Sequence, residues 1–126
     1  MKSRMCVRVL VADDAEIMRR GIKQLLRDRD DIAVIGEASD LPETIQKTAA
    51  LLPDVVIIDL RMTASVNGEL NPQTIGRPTV AISFAVDETA KEQAERLGAV
   101  KFIDKMELAN ELVPTLLQFA PPNKPS

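Results

Sequence analysis

Short runs of aliphatic and β-branched residues alternate with segments of helical spacing along most of this chain. The most apolar run, residues 55–58, reads V-V-I-I and ends at Asp59, which is typical of a central strand buried on both faces. Further runs predict four more strands, at residues 6–12, 32–38, 79–83 and 100–103. Because strands that alternate with helices favour a parallel sheet covered on both faces, the sequence predicts an α/β fold.

Helical spacing follows four of the five predicted strands. Asp14 is the expected N-cap of the first helix, and Ile17 belongs to the predicted apolar face of that helix. The second helix is expected over residues 41–52, and another is expected between an N-cap at Asp87 and a stop at Gly98. The last helix carries apolar residues at Leu108, Leu112, Val113, Leu116 and Leu117.

The segment between the third and fourth strands breaks this pattern. It contains Gly68, Pro72, Gly76 and Pro78, and the last two end any helix that Pro72 begins within about a turn. The sequence therefore predicts that the third crossover helix is shortened or missing.

The composition excludes several classes of function. The chain has 126 residues, the length of one domain, and 16 Lys+Arg against 19 Asp+Glu leave a net charge of -3, which argues against nucleic-acid binding by this domain. The chain has no His, so zinc sites and catalytic triads that use His are excluded. The single Cys6 is expected to be a small core residue. With no export signal and no apolar run long enough to span a membrane, we expect a cytoplasmic protein.

Polar residues occur where the predicted strands end, the edge of a parallel sheet at which such folds place their sites. Asp13 and Asp14 follow the first strand, Asp59 follows the third, Ser83 ends the fourth, and Lys105 comes soon after the fifth. Three carboxylates at one edge repel one another unless a cation lies among them, and hard oxygen ligands favour Mg²⁺. Lys105 and Ser83 complete a place for a phosphoryl group. The Gly-rich motifs of nucleotide-binding loops are absent from the sequence.

Plainer interpretations of the same residues stay open at this point. Asp13 and Asp14 also suit a helix N-cap, where carboxylates interact favourably with the helix dipole. Ser83 alone is a common strand-end hydroxyl bonded to backbone, and Lys105 alone is a common solvated lysine. The combination of these residue types at one edge is what favours a site.

Four motifs occur in order, each at a strand end: V-L-V-A-D-D, V-V-I-I-D-L-R-M, V-A-I-S and G-A-V-K-F-I-D-K. Through them, residues 6–119 resemble the receiver domain of bacterial two-component response regulators. The resemblance implies a doubly wound, flavodoxin-like sheet of five parallel strands in the order 2-1-3-4-5. Residues 1–120 would form the receiver domain, and the P-P-N-K-P-S tail at residues 121–126 predicts a linker or a disordered end.

The resemblance also implies roles for the acidic residues. Asp59 would take a phosphoryl group from the phospho-His of a sensor histidine kinase, with Mg²⁺ required. Asp14 and Asp59 would ligate the metal, and Asp13 would assist through water. The backbone carbonyl of Arg61 would be another ligand, while the Arg61 side chain is expected to be simply exposed.

The remaining implied roles concern switching. Lys105 would pair with the phosphate, and Ser83 would bond a phosphoryl oxygen and move toward it. Phe102 matches the family's aromatic switch position and would turn inward with Ser83, although a plain core role is open. Phosphorylation would then bias the face formed by the fourth helix (counting the shortened third), the fifth strand and the last helix, which is also a possible homodimer surface. The last helix most resembles receivers that precede a helix-turn-helix DNA-binding module.

Three departures from the family pattern leave a second function open. Thr63 stands where Pro is usual, Phe84 follows the switch hydroxyl where a small residue is usual, and the third helix is curtailed. The alternative is an atypical receiver that regulates by binding alone, without phosphorylation. A small Mg²⁺-dependent phosphatase is disfavoured because Arg61, and not a second acid, stands two residues after Asp59. We therefore expect a phosphoacceptor with self-catalysed transfer and no turnover activity.

Overall fold

The computed structural model describes residues 6–63 and 70–120, which contain five strands and four α-helices. The strands are β1 (Val7–Ala12), β2 (Ile32–Ala38), β3 (Val55–Asp59), β4 (Thr79–Ser83) and β5 (Lys101–Asp104). The helices are α1 (Glu16–Leu26), α2 (Leu41–Leu51), α3 (Glu88–Leu97) and α4 (Leu108–Leu117). In the described ranges, no helix is long and apolar enough to cross a bilayer.

The five strands form one parallel sheet in the order β2-β1-β3-β4-β5. This is the doubly wound, flavodoxin-like order that the resemblance to receiver domains implied, which confirms that expectation. Every residue of β3 is buried, because this strand lies at the centre of the sheet with helices over both faces. The strand order places the carboxyl ends of β1 and β3 side by side, with β4 and β5 following along the same edge.

Each face of the sheet has its own hydrophobic core. On one face, Ile22 and Leu26 of α1 pack with Leu112 and Leu116 of α4 over the strands. On the opposite face, α2 and α3 cover the sheet with side chains that include Leu41, Ala90, Ala94 and Leu97. Burial of these aliphatic side chains, at about 25 cal/mol per Å² of apolar surface, is what holds the helices on the sheet.

The connection from β3 to β4 differs from the other crossovers. It begins with a 3-10 turn, Leu60–Thr63, and its described remainder, residues 70–78, consists of turns without a helix. Leu70 and Ile75 from this connection are buried in the α2/α3 core, so loop side chains fill space on this face. The predicted loss of the third helix is confirmed for the described residues. Residues 64–69 and the predicted tail at 121–126 lie outside them.

Two predictions for α1 are wrong. Asp14 does not cap the helix: Ala15 occupies the N-cap position, and no side chain bonds the helix end there. Ile17 is 76% exposed and does not join the core, because Ile22 and Leu26 decide which face of α1 meets the sheet. For α3 the predictions are confirmed, since Asp87 accepts a hydrogen bond from the Ala90 N–H and Gly98 ends the helix in the left-handed conformation.

Gly98 gives a direct test of this packing. Its φ is +75°, and a Cβ added there would lie 2.8 Å from the Pro72 Cβ in the β3–β4 connection. Left-handed strain and overpacking together should make Gly98→Ala lower the free energy of unfolding by about 2–4 kcal/mol. Urea denaturation followed by circular dichroism measures the change.

Gly21→Ala is the matched control for this substitution. Gly21 lies within α1, and a Cβ added there would meet nothing within 4 Å. Because Ala has the higher helix propensity, this variant should gain up to about 1 kcal/mol. Equal stability of the two variants would contradict the close approach of Pro72 to Gly98.

Candidate functional site

Three carboxylates meet at the carboxyl edge of the sheet. Asp13 and Asp14 follow the last residue of β1, and Asp59 is the last residue of its neighbour β3. One oxygen from each of the three side chains lies within 4.8 Å of the others. Asp13 and Asp59 are buried, whereas Asp14 is exposed. The parallel pairing of β1 with β3 therefore produces the predicted acidic cluster.

Lys105 supplies a buried positive charge to this cluster. It lies in a 3-10 turn after β5, and its Nζ donates to Asp13 Oδ2 at 2.9 Å and to Asp59 Oδ2 at 3.2 Å. All three side chains are almost completely buried. Because a buried charge without a partner is strongly destabilising, the single ammonium is what allows two carboxylates to stay buried side by side.

The two neighbouring acids after β1 have different electrostatic environments. Burial raises the pKa of Asp13, an effect that the Asp59 charge reinforces and that the Ala15 N–H and Lys105 oppose. Asp14 differs because its hydrogen bonds with the Arg61 guanidinium lower the pKa of this carboxyl. Asp14 is therefore more strongly held in its ionised form than Asp13.

Asp59 is held in a fixed orientation but keeps lone pairs free. Its Oδ1 accepts a hydrogen bond from the Arg61 backbone N–H at 3.1 Å, and its Oδ2 accepts from Lys105. Each carboxylate oxygen has a second acceptor site, so both oxygens can still take another partner. This geometry leaves the carboxylate able to bind a metal ion or to act as a nucleophile.

The Arg61 side chain is the residue that sequence reasoning missed. It was expected to be merely exposed, but its Nη2 donates to both oxygens of Asp14, at 2.9 and 3.2 Å. Its Nε also lies 3.6 Å from Asp59 Oδ2. The sequence signal that could have indicated this contact is a basic residue two positions after Asp59, at an edge that carries three acids. The predicted metal-ligand role of the Arg61 carbonyl stays a prediction.

The residues with predicted switch roles lie in β4 and β5, and Phe84 directly follows β4. Ser83 is buried at the end of β4, and its Oγ accepts a hydrogen bond from the Ala85 N–H. Phe84 is 58% exposed, and its ring centroid lies 5.0 Å from Lys105 Nζ, within the range of a cation–π contact. Phe102 is partly buried against the α2/α3 core. The switch roles of Ser83 and Phe102 stay predictions.

The donor set fits a hard divalent cation. Three carboxylates offer six oxygens of the type that Mg²⁺ prefers, and Asp14 is open to solvent, so a bound ion would keep several waters. Asp13 already uses one oxygen for the Ala15 N–H and the other for Lys105. Both oxygens of Asp59 and both oxygens of Asp14 also accept hydrogen bonds, so these bonds do not rank the three acids as ligands. The direct ligand roles of Asp14 and Asp59 and the supporting role of Asp13 stay predictions.

Comparison with known proteins agrees with this geometry. The family model of the response regulator receiver domain matches residues 9–117. This chain therefore belongs to the response regulator receiver domains of two-component signal transduction. The receiver domain of the putative response regulator NarL from Mycobacterium tuberculosis superimposes with a TM-score of 0.76 at 29% identity, covering 90% of this chain and 94% of that one.

Curated relatives carry the receiver in proteins of different activity. A protein-glutamate methylesterase/protein-glutamine glutaminase from Methanococcoides burtonii is 34% identical over 85% of this chain and 34% of its own length. The transcriptional regulatory protein LiaR from Bacillus subtilis is 34% identical over 84% of this chain and 52% of its own length. The chain therefore matches about a third to a half of these relatives. A transcriptional regulator is among them, in line with the likeness predicted from the last helix.

The buried charge arrangement yields a stability prediction. Lys105→Met leaves buried Asp13 without a counter-ion and Asp59 with only the Arg61 guanidinium at 3.6 Å, so in the absence of divalent ions it should lower the free energy of unfolding by about 3 kcal/mol. Asp13→Asn leaves one carboxylate opposite one ammonium, but its amide oxygen can accept from either the Ala15 N–H or Lys105 and not from both, so we expect a smaller loss of about 1 kcal/mol. Urea denaturation in EDTA measures both; equal losses would contradict the role given to Lys105.

Proposed function

We propose that this chain is a phosphoacceptor in which Asp59 takes a phosphoryl group from the phospho-His of a sensor histidine kinase. The main observation behind this proposal is the position of the Asp59 carboxylate. It is buried beside two other acids and hydrogen-bonded to the Lys105 ammonium at 3.2 Å. A domain that only binds a partner has no use for three clustered carboxylates and a buried lysine, since such clustering costs stability. Membership of the receiver family supports the same proposal.

The reaction is an in-line displacement at phosphorus. A lone pair on an Asp59 oxygen forms the new P–O bond, while the P–N bond of the donor breaks and its electron pair stays on the imidazole nitrogen. The product is an acyl phosphate on Asp59. A Mg²⁺ ion held by Asp14 and Asp59, with Asp13 in support, would supply charge neutralisation at the phosphoryl oxygens.

Lys105 is positioned to stabilise the product. Its ammonium already touches Asp59 Oδ2, and three donors allow it to bond a phosphoryl oxygen while it keeps Asp13. The Ser83 hydroxyl would leave the Ala85 N–H and donate a hydrogen bond to another phosphoryl oxygen. Phe102 would follow by moving further into the α2/α3 core. These rearrangements would change the face formed by α3, β5 and α4.

That face is the proposed route to the output. We propose that the α3/β5/α4 surface contacts an output module, and that it also forms a homodimer. Similarity to LiaR and to the NarL receiver favours a transcriptional output, with DNA contacted by a separate module. We place residues 1–120 in the receiver domain, without turnover activity of its own, and the proposed kinase partner implies the cytoplasm.

A second candidate function is regulation by binding without phosphorylation. The observation that favours it is Phe84, whose exposed ring lies 5.0 Å from Lys105 Nζ, where a bulky side chain would narrow the approach to Asp59. The two functions differ in one measurable outcome, which is whether Asp59 accepts a phosphoryl group.

Covalent modification tests the proposal. Incubation of the chain with acetyl phosphate and Mg²⁺ should add the mass of one phosphoryl group, and Asp59→Asn should abolish the addition. Asp28→Asn is the matched control, because it removes the same charge from a side chain that is 94% exposed, just after the end of α1. Intact-mass spectrometry after acid quench gives the readout.

The contradicting outcomes are specific. An unmodified wild-type chain that also shows no change with beryllofluoride and Mg²⁺ would favour the binding-only function. Addition that persists in Asp59→Asn would place the acceptor elsewhere.

Phe84 yields a separate rate prediction. Because the ring narrows the path to Asp59, Phe84→Ala should raise the rate of modification by acetyl phosphate at least about threefold, equivalent to about 0.7 kcal/mol of barrier. Val86→Ala is the control, since Val86 is also exposed in the same loop. A lower rate in Phe84→Ala than in this control would show that the ring positions Lys105 and does not obstruct the site.

A further inference from the structure

The Arg61 guanidinium occupies the carboxylate that the proposed metal needs. Its Nη2 contacts both oxygens of Asp14, and its Nε lies 3.6 Å from Asp59 Oδ2, so one side chain reaches two of the three acids. Arg61 takes one acceptor site on each oxygen of Asp14, so a divalent ion bound there would have to share the carboxylate with the guanidinium. The ion would also lie beside the guanidinium charge, which repels it.

We propose that Arg61 is a competing internal cation, which a divalent ion displaces from Asp14 on binding and which thereby lowers the metal affinity of the site. This inference rests on the proposed function in one respect, the use of Asp14 as a metal ligand. Arg61 is a positioning residue in this account, because it acts through Asp14.

The two cations of the site differ in how easily they can move. Lys105 is buried and bonded to two buried carboxylates, so it stays in place. The Arg61 side chain is 66% exposed, and the Asp14 side chain with which it pairs is 47% exposed. Exposed ion pairs are weak, because water solvates both partners once they separate. Of these two cations, Arg61 is therefore the displaceable one.

The surrounding surface leaves room for this displacement. A groove of about 460 Å³ adjoins the pair, and Asp14 and Arg61 themselves form part of its wall. Leu41, Pro42 and Ile45 give the groove apolar sides, against which the aliphatic stem of an arginine can pack while its head stays in water. Arg61 can therefore release Asp14 without unfolding any element.

Metal titration of the unphosphorylated chain tests the proposal. Isothermal titration calorimetry with Mg²⁺, starting from metal-free protein, should show binding about three- to tenfold tighter for Arg61→Gln than for wild type. Arg20→Gln is the matched control, because it removes the same charge from an exposed arginine that pairs with Glu16 on α1. This control should change the affinity by less than about 1.5-fold.

A second readout follows the displacement itself. In ¹⁵N NMR spectra, the Arg61 Nε–H resonance should shift during Mg²⁺ addition with the same midpoint as the calorimetric binding curve. The Arg77 Nε–H resonance is an internal reference, since it donates to the Pro53 carbonyl before β3, away from the acidic cluster, and should not move. A stationary Arg61 resonance during metal binding would overturn the proposal.

The proposal would also be overturned if Arg61→Gln bound Mg²⁺ with an affinity equal to or weaker than that of wild type, or if Arg61→Gln did not bind Mg²⁺. These outcomes are distinguishable from failure of the proposed function, which is decided by covalent modification of Asp59. An unphosphorylated chain that binds Mg²⁺ more tightly without Arg61 would support this inference even if Asp59 never accepted a phosphoryl group.

Discussion

The contact of one buried ammonium with two buried carboxylates is the interaction on which this site depends. Asp13 and Asp59 end neighbouring strands, and without Lys105 their charges would face each other in a medium that screens poorly. Lys105 follows β5, the strand at one end of the sheet order, and its side chain reaches Asp13 and Asp59 at the central strands. The same contact that stabilises the unmodified chain also places a cation where a phosphoryl group on Asp59 would carry its charge.

The parallel sheet explains why these groups meet. Strands β1, β3, β4 and β5 all end at one edge, and the side chains that follow them must share that edge. The two hydrophobic cores hold the sheet from both sides and leave this edge to polar residues. The three acids differ in exposure. Asp13 and Asp59 are buried with Lys105, whereas Asp14 is exposed and pairs with Arg61. A fixed cation and a displaceable one therefore serve the same cluster.

Features that depend on neighbouring residues were easier to predict from the sequence than contacts between residues far apart in the chain. Strands β2 and β4 occur at the predicted residues, because β-branched runs bounded by polar residues define a strand locally. The exposure of Ile17 was missed, because helical spacing does not fix which face of α1 packs on the sheet. The contact between Arg61 and Asp14 joins residues 47 positions apart, and no local pattern specifies it. The acidic edge itself was predictable, because parallel topology brings strand ends together wherever the strands are correctly assigned.

The central claim is that Asp59 is the acceptor and that Lys105 and Ser83 receive the phosphoryl oxygens. A crystal structure of the chain with beryllofluoride and Mg²⁺ tests it most directly. The account predicts the fluoride adduct on an Asp59 oxygen, with Lys105 Nζ and Ser83 Oγ both within hydrogen-bonding distance of it. An adduct on a different carboxylate, or an Asp59 adduct with Lys105 still bonded only to Asp13, would contradict the account.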